Sequence, residues 1–261
     1  MLWVEDFTNY QRDWLDDSRW NFDIGDGSSH GLIGWGNQEL EYYTDLNYEL
    51  GKSLKISAKK LSASEKLSQG LSCYYGPAEW TSTRIHTAGK VGFHLGYIEL
   101  RAKMPEGIGT WPALWMLGSS INTGISWPEC GEIDILENTG ANPRRVQGSI
   151  HGPGYFAEKA ITKIIESDSE LAKDFHTYAI DWREESIEWF FDGISYHRVE
   201  RQALKESGLE WPFDKEFFLL INLAIGGGFA GSVDPGLSVA QLEVAWIKHF
   251  RVDGIGSVKL Y

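Results

Sequence analysis

Residues 132–137 read Glu-Ile-Asp-Ile-Leu-Glu, three carboxylates in six positions, followed by Asn138-Thr139-Gly140. A run otherwise this apolar is expected to be a buried strand, which accepts three acids only where they have a use. Side chains alternate faces along a strand, so Glu132 and Asp134 share one face while Ile133 and Ile135 take the other. Glu137, five residues after Glu132, then points away from it. It joins the other two only if the strand absorbs one extra residue, as a β-bulge near Ile135-Leu136 would. Two carboxylates flanking one point, with a third between them, suit retaining glycoside hydrolysis: one attacks the anomeric carbon and the other, protonated, helps the leaving group. Acids this close cannot all ionise cheaply, so at least one pKa must rise. No metal and no organic cofactor is required. Taken alone, the hexapeptide fits acids on the exposed face of an antiparallel sheet better than a catalytic strand; its surroundings change that balance.

The elements that must position these acids read as strands. Ser53–Ala58 and Tyr97–Met104 alternate apolar with polar, and Thr177–Trp182 precedes Ser186–Phe191, Asp192-Gly193 and Ile194–Val199. Asp-Gly between two such runs predicts a hairpin, because a type I′ turn needs positive φ at both central residues. Phe217–Ile225 is nearly continuous apolar sequence, and 241–252 supplies a last strand. Glu158–Phe175 is the stretch expected to hold a helical turn or two, with another over Arg201–Ser207. Many strands, few helices and no linker predict one domain over residues 1–261, an antiparallel β-sandwich.

Composition narrows the partner. With 37 Asp and Glu against 24 Lys and Arg, the net charge is −13. That excludes neither binding nor catalysis, but it argues against nucleic acid or an anionic membrane surface as partner. Twelve Trp and 11 Tyr exceed what a Val/Leu/Ile-dominated core needs. Flat rings suit a sugar cleft, although core packing accounts for more than half of them. Cys73 and Cys130 have no metal-site spacing and are expected to be unpaired. No apolar stretch approaches the ~20 residues of a membrane span. Met1–Asp6 has neither a basic n-region nor an apolar h-region. A secreted protein whose leader has been removed is the expectation, beside a cytoplasmic one.

Trp127-Pro-Glu-Cys-Gly-Glu-Ile-Asp-Ile-Leu-Glu137 resembles the active-site signature of glycoside hydrolase family 16, in the laminarinase-like form with two residues between the Asp and the second Glu. Gly36–Thr44, Thr81–Ile85, Tyr97–Lys103, Trp111–Met116, His151–Tyr155 and Leu220–Gly227 follow the family's order, so the likeness runs from about Trp3 to about Val252. The resemblance implies a β-jelly-roll sandwich with a concave substrate cleft. It also implies endo-hydrolysis of β-1,3 bonds in glucans such as laminarin, with mixed-linkage β-1,3-1,4-glucan left open as a further substrate. A monomer is the expected working form. By the same resemblance, Glu132 is the nucleophile, Glu137 the acid/base and Asp134 the nucleophile's support. Trp111 and Trp115 are sugar platforms, and Asn37, Arg84, Trp127, His151 and Asn222 are further substrate contacts.

Read without the family, His151 and Arg84 pass for a structural histidine and a surface charge, and Asn222 for a backbone partner. Two departures stand out. Phe229 stands where the family often has Trp at the cleft edge, and Ala245 stands where an Asp helps bind a structural calcium, so calcium is expected to matter little. Two rivals remain: a galactan hydrolase of the agarase or carrageenase type, and a sandwich lectin that binds without cutting. Sulfated carrageenans would favour a basic cleft, and a lectin has no need of three acids.

Overall fold

A computed structural model describes residues 1–261. Two large sheets, one of ten strands and one of nine, pack face to face, and every long pairing in them is antiparallel. The first sheet runs in order Ile194–Glu200, Ser186–Phe191, His176–Trp182, Gly96–Lys103, Val239–Phe250 and Leu54–Lys60. The second runs Ile161–Glu166, Arg145–His151, Glu132–Glu137, Thr110–Gly118, Phe217–Ile225 and Val91–His94. The sandwich class expected from sequence is the one observed. One continuous apolar cluster fills the space between the sheets.

Local chemistry explains the edges of several elements. Asp192 and Gly193 have φ of 47° and 77°, and Phe191 pairs with Ile194 across them, which is the two-residue hairpin the dipeptide predicts. Phe217–Ile225 is buried at all nine positions because it lies mid-sheet, with one face on the core and the other on the cleft floor. Pro112 sits inside Thr110–Gly118 without breaking it: its backbone faces the side where the Glu132–Glu137 ladder has ended, and its carbonyl accepts from the Asn138 amide.

Two helical expectations divide. Arg201–Glu206 is a helix, but 158–175 is not. Beyond a 3₁₀ turn at Ala157–Lys159, that stretch forms the strand Ile161–Glu166, with Ile161 and Ile165 packed on the core. It is an outer strand, and polar side chains on such a strand blur the alternation that marks a buried one. The helix Ala63–Gln69 was not anticipated, yet Ser62 and Glu65 form the reciprocal capping box that announces it. Both cysteines are free, as expected, and both are buried. Burial pushes their thiols up, to about 11 for Cys73 and about 12 for Cys130. No helix is long and apolar enough to cross a membrane.

Candidate active site

The bulge lies where the counting puts it. Against Arg145–His151 the strand pairs Glu132 with His151, Ile133 with Ile150 and Asp134 with Ser149, then Glu137 with Gln147. Ile135 and Leu136 together face Gly148 and are both buried. Two consecutive residues turned inward bring Glu137 onto the face of Glu132 and Asp134. The distortion takes the Asp134 carbonyl off the ladder, and Trp189 from the opposite sheet donates its indole N–H to it at 2.8 Å. Gly148 leaves room for that ring: a Cβ there would stand 2.5 Å from Trp189 Cδ1. A one-residue irregularity is thus held by a buried hydrogen bond from the second sheet.

Each acid has its own surroundings. Glu132 Oε2 accepts the Trp127 indole N–H at 2.7 Å. Glu137 accepts from Trp111 Nε1 at 3.1 Å on one oxygen and from Gln147 Nε2 at 3.2 Å on the other. Asp134 Oδ2 is buried without an aligned donor and lies 3.1 Å from His151 Nε2, which is 3.8 Å from Glu132 Oε1. His151 Nδ1 accepts the Ala157 amide at 3.1 Å, so in the neutral ring the proton is on Nε2, facing the two acids. Glu132, Asp134 and His151 are close enough to invite a metal. A metal on Nε2 would force a proton onto Nδ1, against the Ala157 N–H, so the ring is set to donate rather than to ligate.

Burial is the first cause raising all three carboxyls. Glu132 and Asp134 rise well above the ordinary range, through desolvation and then the nearby charge of Asp134 and Glu137 respectively; Glu137 rises through desolvation, opposed by His151 and its two donors. The sign of the linkage follows. Above the ordinary carboxyl range the unfolded chain has released protons that the folded protein still holds, so stability is greatest below about pH 4 and falls as pH rises towards the raised values. Glu132→Gln keeps an acceptor for Trp127 and removes the charge. Its melting temperature at pH 7 is expected to exceed that of the wild type, with the gap closing in acid, as a thermal-denaturation series across pH would record.

The remaining candidates join the same face. Trp111 and Trp115 are half-buried on it, with Leu114 fully buried on the other. Trp115 Nε1 donates to Asn222 Oδ1 at 2.8 Å, and Asn222 Nδ2 donates to Tyr43 Oη at 3.1 Å. Asn222 therefore engages side chains, not the backbone, and holds the Trp115 ring. Arg84 lies over both Trp35 and Trp115, 4.5 and 5.0 Å from the ring centroids, and pairs with Asp23 at 2.8 Å. It is tied down, unlike a surface charge. Asn37 is exposed and donates to Glu39 at 3.0 Å. Trp127, 39% exposed, and Phe156 meet edge to face, and Phe229 packs on Trp111. Gln147, Trp35, Asp23 and Phe156 were missed as contributors. Gln147 was within reach, since counting back from His151 in twos along the paired strand gives Ser149 and Gln147 on the acids' face.

The family's calcium site finds no fit here. Ala245 is buried and is the extra residue where Val239–Phe250 shifts register against Gly96–Lys103. Nearby Glu243 is occupied by Lys103 at 2.7 Å and Ser53 at 2.9 Å.

Comparison with known proteins agrees with the geometry. Residues 33–248 match the model for glycosyl hydrolases family 16. A β-glucanase of Rhodothermus marinus is 37% identical over 90% of this chain and 80% of its own length. A glucan endo-1,3-β-glucosidase of Cryptopygus antarcticus is 35% identical over 90% of each. The laminarinase catalytic domain of Thermotoga maritima superposes with a TM-score of 0.89 at 40% identity, covering 97% of this chain and 98% of that one. With the bulged acidic strand, its sandwich and a match over most of its length, this chain belongs to glycosyl hydrolase family 16.

Proposed function

We propose that the protein is an endo-β-1,3-glucanase that hydrolyses glucans such as laminarin with retention. Glu132 attacks the anomeric carbon, Glu137 protonates the departing oxygen, and Asp134 supports Glu132. The observation that carries the reading is the bulge, which puts three carboxyls on one face between tryptophans. Donors divide the protons. Trp127 gives Glu132 a hydrogen bond that favours its anion, and Asp134, crowded against it, shares the proton load of the pair. Glu137, raised by burial, is the acid of the first step. Once the leaving sugar departs, the same group, now anionic, takes a proton from water as that water attacks the glycosyl ester on Glu132.

The indole platforms suit pyranose faces, and Arg84, the cation among the contacts described, is already neutralised by Asp23. That favours a neutral glucan over a sulfated galactan. The lectin reading leaves the three crowded acids without a use. A polymeric substrate too large to enter a cell argues for action outside it, by a monomer whose cleft is complete within one chain. Calcium or a chelator is expected to leave the melting temperature essentially unchanged, given Ala245 and the engaged Glu243; a rise of several degrees with calcium would contradict this.

Early product stereochemistry is the deciding test. Proton NMR of a fresh laminarin digest should show the new reducing end in the β configuration, as expected of retaining enzymes, whose two carboxyls stand about 5–5.5 Å apart. Early α product would overturn the mechanism. Release of reducing sugar from agarose or carrageenan but not from laminarin would overturn the substrate.

A further inference from the structure

Beside the cleft floor lies a second pair of acids that the hydrolysis does not use. Glu39, Glu41 and Tyr43 alternate along one face; Glu39 is 4% exposed, and Glu41 and Tyr43 are fully buried. The two carboxyls are neighbours on that face, and each bears on the other's hold on its proton. Glu41 Oε2 accepts the Ile225 amide at 2.7 Å, and its Oε1 meets no donor. Glu39 accepts Asn37 Nδ2 at 3.0 Å on one oxygen and the Tyr43 hydroxyl at 3.2 Å on the other. Tyr43 in turn accepts from Asn222, and Asn222 from the Trp115 indole. Every donor in the chain therefore points towards Glu39.

Two carboxylates in contact and out of water cannot both be charged. The donors decide which keeps the proton. Glu39 has two side-chain donors and lies near Arg84, whose charge still favours it despite the pairing with Asp23; Glu41 has one backbone amide and an oxygen without a donor. We propose that Glu41 is a protonated acid donating to a Glu39 carboxylate, and that this one-proton pair is a positioning device. It fixes the Asn37 amide directly and, through Tyr43 and Asn222, the Trp115 indole. The proposal rests on reading Asn37 and Trp115 as sugar contacts.

Burial raises both acids, Glu41 well above the ordinary range with the Glu39 charge as second cause. Besides Arg84, the titratable groups that feel the pair are Tyr43 on the same strand and, across it, Cys73, Tyr74 and Tyr75, with Asp26 beside Cys73. None of these supplies a second cation.

Glu41→Gln and Glu39→Gln separate the roles. In Glu41→Gln the new amide can donate to Glu39 and accept from Ile225, so KM for laminarin is expected to stay within about twofold of wild type. Glu39→Gln offers one acceptor oxygen in place of two, leaving Asn37 or Tyr43 unpaired. KM should then rise about tenfold with kcat changed far less. In a Trp115→Phe background, which lacks the indole N–H, the Glu39→Gln effect should shrink.

The wild-type minus Glu41→Gln infrared difference at neutral pH should contain the carbonyl band of a protonated acid. Loss of that proton at alkaline pH should raise KM in the wild type and leave Glu41→Gln unaffected. An equal KM rise in both glutamine variants, or no acid band in the difference, would overturn the proposal. Failure of the underlying site reading leaves a different mark: Trp115→Ala and Asn37→Ala would then leave KM unchanged while the infrared band persisted.

Discussion

Glu132→Ala is expected to abolish laminarin hydrolysis to at least the ~10²–10⁴-fold typical of losing a proton-transfer group, since the attacking atom itself is gone. The fold should persist, because Glu132 is partly open to the cleft and its loss removes a charge crowded by Asp134. The loss has a chemical signature beyond its size. Truncation opens a space below the anomeric carbon, bounded by Asp134, His151 and the Trp127 indole that Glu132 had accepted from. A small anion such as azide can occupy it and attack from that face while Glu137 still protonates the leaving oxygen. One displacement in place of two inverts the centre, so the expected rescue product is the α-glycosyl azide, identified by NMR. Activity within a few-fold of wild type, or rescue giving only β product, would remove Glu132 from the nucleophile's role.

The nucleophile's role for Glu132 comes from the family resemblance, whereas the placing of three acids on one face follows from parity. Glu132, Asp134 and Glu137 are separated by two and three positions, and a strand tolerates the odd step only by bulging. Ile135 and Leu136 did turn inward together. The same parity put Trp111 and Trp115 opposite Leu114, and the Asp192-Gly193 turn was legible because few residues accept positive φ. What stayed hidden depends on long-range contact. Nothing local tells that Trp189 reaches the Asp134 carbonyl, that Asp23 restrains Arg84, or that Asn222 holds Trp115. The strand Ile161–Glu166 was misread because its partner, not its own pattern, makes it a strand. The Glu39–Glu41 pair was visible as letters, but alternating acids normally mean an exposed face, and only the packing reverses that.

Glu137→Ala is expected to cost laminarin hydrolysis about 10²–10⁴-fold, with the size of the loss set by the leaving group. An internal glucosyl oxygen departs as a poor alkoxide unless protonated, and Glu137, raised by burial and held between Trp111 and Gln147, is placed to protonate it. An aryl β-1,3-glucoside with an acidic phenol needs no such help. For that substrate the first step should be nearly preserved in Glu137→Ala, and the glycosyl-enzyme on Glu132 should accumulate because the base for water is missing. A burst of phenol followed by a slow steady rate is the expected trace. Added azide, which needs no base, should speed turnover and give the β-glycosyl azide, the opposite anomer to that from Glu132→Ala. Trp111 and Gln147 lose an acceptor in this variant, so Glu137→Gln, which keeps one oxygen for them, separates the chemical effect from any packing effect. If Glu137→Ala slowed the aryl glycoside's first step as severely as laminarin, protonation of the leaving group could not be what Glu137 supplies, and the two carboxylates would have to exchange roles or yield to Asp134.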